Sequence, residues 1–362
     1  MDQALLFTIL AVFPFGQLLR HWPLDIVVAL AALCGLWRYR QRTEIFKIFG
    51  GFIFAAGFSY LVSVFVLKSP ALVTGGLYLL RLVVYWFFLD FCLNFVRRNP
   101  QLKPLIWRSL IAVSVAIAIF GWIQYFLWPD LTALKYLGWD DHLYRLVGTF
   151  LDPGLTSLFL ALGAILTVGS GWILPVFLTV SLAFTYARAG YLAFLVAMAY
   201  LGRKNKKAFF LAFILGITIW LLPKPAGQGV NLSRTYSIAF RLENYKETLK
   251  IAAKSPLFGI GYNNICLYRG DPASHSCSGA DSSPLLVLAT TGSVGLLMFL
   301  SCIILFFKNL AKGPYEAGFI ASVLALAVHS LFVNSLFYPF TMAFFGLLIS
   351  LQKFKEKNKA SG

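Results

Sequence analysis

The sequence predicts an all-α polytopic membrane protein. Of its 362 residues, 59% are hydrophobic, 17% aromatic and only 12% charged, whereas charged residues make up about a quarter of a typical soluble domain. The hydrophobic residues occur in runs of about twenty, the length of helix that crosses a bilayer. Only helices and closed barrels satisfy the backbone in hydrocarbon, and such runs favour helices over the short alternating segments of a barrel.

Hydropathy predicts about 12 transmembrane helices. They are expected at 3–19, 23–37, 45–67, 71–96, 105–128, 153–169, 172–187, 189–201, 208–222, 284–307, 315–335 and 337–352. Basic residues cluster between these segments, at 38–47, 97–108, 203–207, 308–312 and 353–359. With an even number of spans both termini lie on one side, and every basic cluster lies there too. The positive-inside rule makes that side cytoplasmic.

The net charge of +17 does not indicate nucleic-acid binding. A nucleic-acid footprint gathers its lysines and arginines on one face or along one helix. Here the basic residues are distributed among the short cytoplasmic loops, where membrane topology alone requires them. We therefore expect membrane lipids, and no nucleic acid, among the partners of this chain.

One long polar interval, residues 223–283, separates two apolar segments and is expected to lie outside the cytoplasm. Within it, Ile238, Leu242, Tyr245, Leu249 and Ala252 keep a spacing of three to four residues. This spacing predicts an amphipathic helix over 238–253, lying on or near the membrane surface. The rest of the chain has no soluble domain or clear repeat, so we expect 1–362 to form a single integral membrane domain.

Two of the five cysteines, Cys266 and Cys277, lie in this extracytoplasmic loop. Such a compartment can be oxidising, so the pair could form a disulfide. Two cysteines in one loop are also compatible with free thiols, because the loop geometry decides whether the sulfur atoms meet. The sequence leaves both alternatives open.

Arg81 interrupts an apolar run about midway along its predicted span. An arginine in hydrocarbon is costly and needs an anionic partner or a wet cavity. It could bind an anionic substrate, form a structural ion pair with a carboxylate such as Asp90 or Asp152, or snorkel to the interface.

Arg188 lies in a short break between two apolar segments near the outer face. Its planar guanidinium matches phosphate oxygens, although an ordinary interfacial arginine is the alternative. Arg145 precedes a segment in which Asp152 and Pro153 predict a helix cap followed by a first-turn proline.

The sequence predicts no metal site and no cofactor. Its four histidines are scattered, and the sequence has no nucleotide-binding glycine motif. His275 is the one histidine in the long loop, where a lone histidine is more often solvated than catalytic.

Several motifs between residues 140 and 340 resemble the O-antigen ligase and polymerase superfamily. The motifs are the following: Arg145-Leu146-Val147-Gly148-Thr149-Phe150-Leu151-Asp152-Pro153, Ala187-Arg188-Ala189-Gly190, Arg241 followed by Ser255-Pro256-Leu257-Phe258-Gly259-Ile260-Gly261-Tyr262-Asn263, and Gly292-Ser293-Val294-Gly295. The resemblance implies a glycosyltransferase of the bacterial inner membrane. Such enzymes move a glycan from an undecaprenyl-diphosphate carrier to an acceptor hydroxyl, without a metal.

The chain departs from this family pattern at one informative position. Family ligases carry a histidine followed by Asn, Ser or Gln, then nine residues, then Gly-x-x-Gly. Here the same spacing gives Asp281 and Ser282, nine residues, and then Gly292 and Gly295. This departure favours a polymerase slightly over a ligase. Asp281 could remove the acceptor proton, or it could cap the helix that follows.

The resemblance implies a site built from arginines and a carboxylate. Arg188 and Arg241 would hold the diphosphate, with Asp281 as the base. Arg145, Arg81 and His275 are the further substrate-binding candidates. The acceptor, whether glycan, lipid or protein, is left open.

A transporter or flippase for lipid-linked sugars is the alternative, although such proteins commonly place their sites at the bilayer midplane in repeated, broken helices.

Overall fold

The computed structural model describes residues 1–69, 71–137, 142–223, 225, 227–269 and 279–355. Most of these residues are helical, which confirms the predicted all-α class. The helices are α1 (Asp2–Val12), α2 (Trp22–Arg38), α3 (Glu44–Leu67), α4 (Leu72–Arg98), α5 (Lys103–Leu127), α6 (Pro153–Leu166), α7 (Ile173–Ala183), α8 (Arg188–Gly202), α9 (Lys207–Leu221), α10 (Tyr236–Ala252), α11 (Ser283–Asn309), α12 (Glu316–Phe332) and α13 (Pro339–Ser350). Two short strands, β1 (Leu310–Ala311) and β2 (Lys353–Phe354), pair antiparallel.

Five helical segments in the described part of the chain are long and apolar enough to cross a membrane. They are Asp2–Leu19, Glu44–Leu67, Leu72–Arg98, Pro100–Leu127 and Ser283–Asn309. Six further apolar helices have 10–17 residues, which is short for a bilayer core about 30 Å thick. The chain thus has several candidate spans, while their number and the outside position of the long loop remain predictions.

The centre of the molecule is α6, a helix buried on all sides, as expected for a helix that is hydrophobic all round. It packs against α5, α7, α8 and α12. Asp152 Oδ1 accepts backbone hydrogen bonds from Gly154 (2.5 Å) and Leu155 (3.3 Å) at the start of α6. The predicted helix cap with its first-turn Pro153 is therefore confirmed.

The amphipathic helix α10 lies at the predicted residues. Ile238, Leu242 and Leu249 of its expected apolar face are about half exposed, whereas Thr248 and Ile251 are buried against the rest of the protein. These apolar side chains therefore point away from the protein core, as they would in a helix that rests on a membrane surface.

Helix α11 is broken at Gly292, where the backbone has φ +69° and ψ −172°. The segment 255–260 docks its backbone into this break. The Ser293 and Val294 N–H groups donate to the Pro256 and Leu257 carbonyls at 2.8 and 3.2 Å. The docked segment thus replaces helical hydrogen bonds that the break removes.

The carbonyl groups on the other side of the break are satisfied as well. The Ala289 carbonyl accepts from the Ile260 N–H at 3.0 Å, and the Thr290 carbonyl accepts from the Ser59 hydroxyl at 2.6 Å. A broken helix in a membrane is stable only when neighbouring groups satisfy its freed backbone atoms. The break and the docked segment therefore form one structural unit that joins α3, α10 and α11.

Candidate functional site

Four arginines converge beside α6 and α10. Arg145 follows α5, Arg188 begins α8, Arg234 precedes α10 and Arg241 lies within α10. Burial, together with the positive charges of Arg234 and Arg241, lowers the pKa of Arg145 to about 9. Burial and then the charges of Arg188 and Arg241 also lower the pKa of Arg234. Mutual repulsion of this kind indicates that the guanidinium groups share a small region, which favours binding of an anion.

Arg145 is fixed by the connection between α7 and α8. Its Nε donates to the Thr185 carbonyl at 2.9 Å and its Nη2 to the Tyr186 carbonyl at 3.4 Å. Tyr186 has a positive φ of 51°, an uncommon conformation for a bulky residue. This turn directs the carbonyl groups towards Arg145.

Arg188 and Arg234 hold the chain that leads into α10. Arg188 donates from Nη1 to the Arg234 carbonyl (3.0 Å) and from Nη2 to the Ser237 hydroxyl (2.6 Å). Arg234 Nη1 donates to the Gly229 and Asn231 carbonyls at 2.7 and 2.9 Å. Both side chains therefore have a structural function here in addition to contributing charge.

Arg241 differs from these three arginines. Its side chain is half-buried, and it has no hydrogen bond or salt bridge to any residue within the described ranges. Its charge nevertheless acts on Arg145, Arg188 and Arg234. Its fork of donors is therefore available to an anionic ligand.

Arg81 forms an ion pair, but the expected partners were wrong. Its Nη2 lies 2.8 Å from Asp25 Oδ2, and the Tyr85 hydroxyl donates to Asp25 Oδ1 at 2.9 Å. Asp90 instead bonds to Arg42 at 3.1 Å, and Asp152 caps α6. Arg81 is thus neutralised by a carboxylate on α2.

Asp281 precedes α11 but is not its N-cap. The helix begins at Ser283 with Ser282 as the N-cap residue and without a side-chain capping bond. The Asp281 N–H donates to Asn244 Oδ1 on α10 at 2.9 Å. The capping interpretation of Asp281 was therefore wrong, and the residue is held at the contact between α10 and α11.

Tyr245 connects Asp281 with the arginine cluster. Burial raises the pKa of Tyr245, the charge of Arg241 lowers it and the charge of Asp281 raises it. Both charged groups are thus within electrostatic reach of one phenol. Arg241 and Asp281, forty residues apart in the long loop, therefore both act on Tyr245.

His329 was not selected in the sequence analysis, yet it lies at this site. Its Nε2 is 3.0 Å from the Gly154 carbonyl and its Nδ1 is 3.0 Å from the Ser335 hydroxyl. A carbonyl only accepts, so Nε2 carries the proton and Nδ1 accepts from Ser335. Arg234 was also missed; its position directly before the amphipathic helix was the available signal.

Two further predictions concern residues outside the described ranges. His275 and Cys277 both lie there, so the binding role of His275 and the pairing of Cys266 with Cys277 remain predictions.

Residues 173–300 match the family model of the O-antigen ligase. No curated protein matches the chain. The matched residues include Arg188, Arg234, Arg241, the docked segment 255–260 and the helix break at Gly292. The match confirms the resemblance of this region to the O-antigen ligase and polymerase superfamily, a family of surface polysaccharide biosynthesis.

Proposed function

We propose that the chain is a glycosyltransferase that moves a glycan from an undecaprenyl-diphosphate carrier to an acceptor hydroxyl at the extracytoplasmic face of the bacterial inner membrane. The observation that carries the proposal is the convergence of Arg145, Arg188, Arg234 and Arg241. Tyr245 lies within electrostatic reach of both Arg241 and Asp281. A diphosphate requires concentrated positive charge, and the acceptor requires a base.

In the proposed reaction the acceptor oxygen attacks the anomeric carbon of the carrier-linked sugar. The bond between this carbon and the diphosphate oxygen breaks, and the lipid diphosphate leaves with the electron pair. Fixed guanidinium groups in a partly dry site stabilise the negative charge that develops on the diphosphate. Arg241 would contact the diphosphate most directly because its hydrogen-bond donors are available. Arg145, Arg188 and Arg234 would add positive electrostatic potential at the same site. The arginines supply the cationic charge, so we propose transfer without a metal ion.

The acceptor proton would pass to the carboxylate of Asp281. A positioned base typically contributes about a hundredfold to ten-thousandfold to the rate. The bond from the Asp281 backbone to Asn244 places this carboxylate beside the helix that carries Arg241. We make no choice between ligase and polymerase, since both use this chemistry with different acceptors.

The proposed sidedness places both termini in the cytoplasm and the loop 223–283 outside it. Reporter fusions after Lys207 and after Lys312 should give cytoplasmic signals, and a fusion at Gly270 should give an extracytoplasmic one. A cytoplasmic signal from Gly270 would remove the site from the face at which the glycan is transferred.

The central test compares three variants in membranes supplied with a lipid-diphosphate-linked glycan. Charge-assisted hydrogen bonds are worth about 1.5 to 3 kcal/mol, so Arg241→Ala should lower the transfer rate by about one to two decades. Arg241→Lys keeps the charge but loses the planar fork and should recover only part of the rate. Lys250→Ala, on the exposed side of the same helix, is the control and should transfer normally.

Normal transfer by Arg241→Ala at normal expression would exclude this residue from the site. A chain that moves the lipid-linked glycan across a membrane without joining it to an acceptor would instead support the transporter alternative.

A further inference from the structure

An apolar groove lies between α3, α4, α11, α12 and α13, apart from the arginine cluster. It has a volume of about 250 Å³, and its walls include Phe52, Tyr85, Phe299, Phe306, Met342 and Phe345. The polar atoms of its larger aromatic residues are engaged elsewhere. The Tyr85 hydroxyl donates to Asp25, and Trp86 Nε1 donates to the Phe46 carbonyl at 2.8 Å. The walls of the groove are therefore mainly apolar.

One end of the groove adjoins the candidate site. Leu336 and Phe337 line it, and they directly follow Ser335, which bonds to His329. The Leu336 N–H donates to the Ser283 hydroxyl at 3.2 Å, two residues after Asp281. A molecule with a polar head at the site and an apolar chain would therefore find the groove next to it.

The other end of the groove lies far along the helices. Ser283 begins α11, whereas Phe306 lies near its end, and the helical rise between them is about 35 Å. Phe319 likewise lies near the first residue of α12, whereas the last residue of α12 leads to Ser335 beside the candidate site. The hydrocarbon core of a bilayer is about 30 Å thick, so an acyl chain of one leaflet extends through roughly half of it.

We propose that this groove binds the distal part of the polyprenyl chain of the lipid-linked substrate, whose diphosphate lies at the arginine cluster. This inference rests on the proposed function. A chain that starts at the site must pass the bilayer midplane to reach Phe306 and Phe319, which a long isoprenoid does and an acyl chain of the same leaflet does not. The groove would thereby distinguish long carriers from ordinary phospholipids.

Thr341 contributes slightly to the preference for an isoprenoid chain. It lines the groove, and its buried Oγ1 has no hydrogen-bond partner among the described residues. The double bonds of an isoprenoid offer π electrons to a hydroxyl, as a saturated chain does not, although such contacts are weak.

The test uses two neighbouring isoleucines of α11. Ile303 lines the groove, whereas Ile304 is 55% exposed on the outside of the helix. Ile303→Phe should fill part of the groove, and Ile304→Phe is the matched control. Transfer is measured in detergent with two donors that carry the same glycan diphosphate on either an undecaprenyl chain or a short isoprenoid chain.

We expect Ile303→Phe to raise KM for the long-chain donor about tenfold and to leave the short-chain donor unchanged, because only the long chain reaches the groove. Ile304→Phe should change neither value. Equal effects of Ile303→Phe on both donors, or no effect on either, would overturn the groove assignment while leaving the proposed transfer intact.

A binding measurement keeps the inference separate from activity. Native mass spectrometry of the purified chain, with undecaprenyl phosphate and phosphatidylglycerol as competing probes, should show stronger retention of undecaprenyl phosphate by the unaltered protein than by Ile303→Phe. Equal retention of undecaprenyl phosphate by both proteins, or preferential retention of phosphatidylglycerol by the unaltered protein, would overturn the groove assignment. Absence of transfer from either donor by the unaltered protein would instead refute the proposed function.

Discussion

The backbone N–H of Ser293 donates a 2.8 Å hydrogen bond to the carbonyl of Pro256. This bond replaces the one that Ser293 would make inside an unbroken helix, and it connects the long loop to α11. Two separate motifs, the Ser255–Asn263 stretch and the Gly292–Gly295 stretch, therefore bind each other. This contact fixes the positions of α10 and Asp281.

Gly292→Ala should damage this contact severely. An added Cβ would lie 2.2 Å from the Leu257 carbonyl oxygen, at a positive φ. Overpacking typically costs about 1 to 3 kcal/mol, and the backbone conformation of Gly292, which is essentially restricted to glycine, adds about 1 to 3 kcal/mol for alanine. We expect a lower Tm in detergent and a loss of transfer.

Gly216→Ala is the control, since no atom lies within 4 Å of its added Cβ in α9. It should match or slightly exceed the stability of the unaltered protein, because alanine favours a helix. Equal Tm values for the two variants would show that the break at Gly292 does not need glycine.

Arg188→Ala should release the chain that leads into α10. The guanidinium donates to the Arg234 carbonyl and the Ser237 hydroxyl, so its loss should increase hydrogen exchange over 232–237 and lower the transfer rate at least tenfold. Arg188→Lys should restore part of the protection. Arg203→Ala, at the opposite end of the same helix, should change neither. A variant of Arg188 with normal exchange and reduced transfer would indicate direct contact with the substrate instead.

The helices were predictable because their pattern is local. The start of α6 at Pro153 and the position of α10 follow from cap residues and apolar spacing. The break in α11 was not predicted, since it depends on backbone groups of residues 255–260 that are distant in sequence. Asp25 could not be identified from the sequence as the partner of Arg81, because an ion pair between two helices depends on how those helices pack.

The candidate site was predicted in part for the same reason. Arg145, Arg188 and Arg241 were identified by motif, and the structure brings them together. His329 was missed because a lone histidine in an apolar helix has no distinctive pattern. Its place at the site becomes visible only from its contacts with Gly154 and Ser335, which lie outside its own helix.

The stability of the protein should fall in mild acid through His142. Burial, with the charges of Arg145 and Arg234, lowers the pKa of His142 to about 3, whereas an unfolded histidine titrates near 6.5. The unfolded state therefore binds more protons below about pH 6.5, and folding stability decreases as the pH falls towards 3. Between pH 7 and pH 5 the expected loss is about 2 kcal/mol at most.

Thermal unfolding at the two pH values measures this loss. His142→Gln removes the titrating group and should flatten the pH dependence, whatever it does to stability at pH 7. An unchanged pH dependence in this variant would assign the effect to other groups.

The base of the proposed transfer is tested by two substitutions in the long loop. Asp281→Asn keeps the size of the side chain and the backbone bond to Asn244, but an amide cannot take the acceptor proton. Transfer should therefore fall by at least a hundredfold, while the Tm changes little. Because α11 does not use Asp281 as its N-cap, loss of helix capping would not explain such a result. Asp130→Asn, in an exposed loop, is the control for loss of one carboxylate.

His275→Ala should have a mild effect on the same reaction. His275 lies six residues before Asp281 in the sequence, outside the described ranges, whereas Asp281 directly precedes α11 and bonds to Asn244 of α10. A base must stay within hydrogen-bond reach of the proton that it removes, which the attachment of Asp281 favours. Full activity of Asp281→Asn together with a large loss in His275→Ala would transfer the role to the histidine. The spacing that aligns Asp281 with the family histidine would then be accidental.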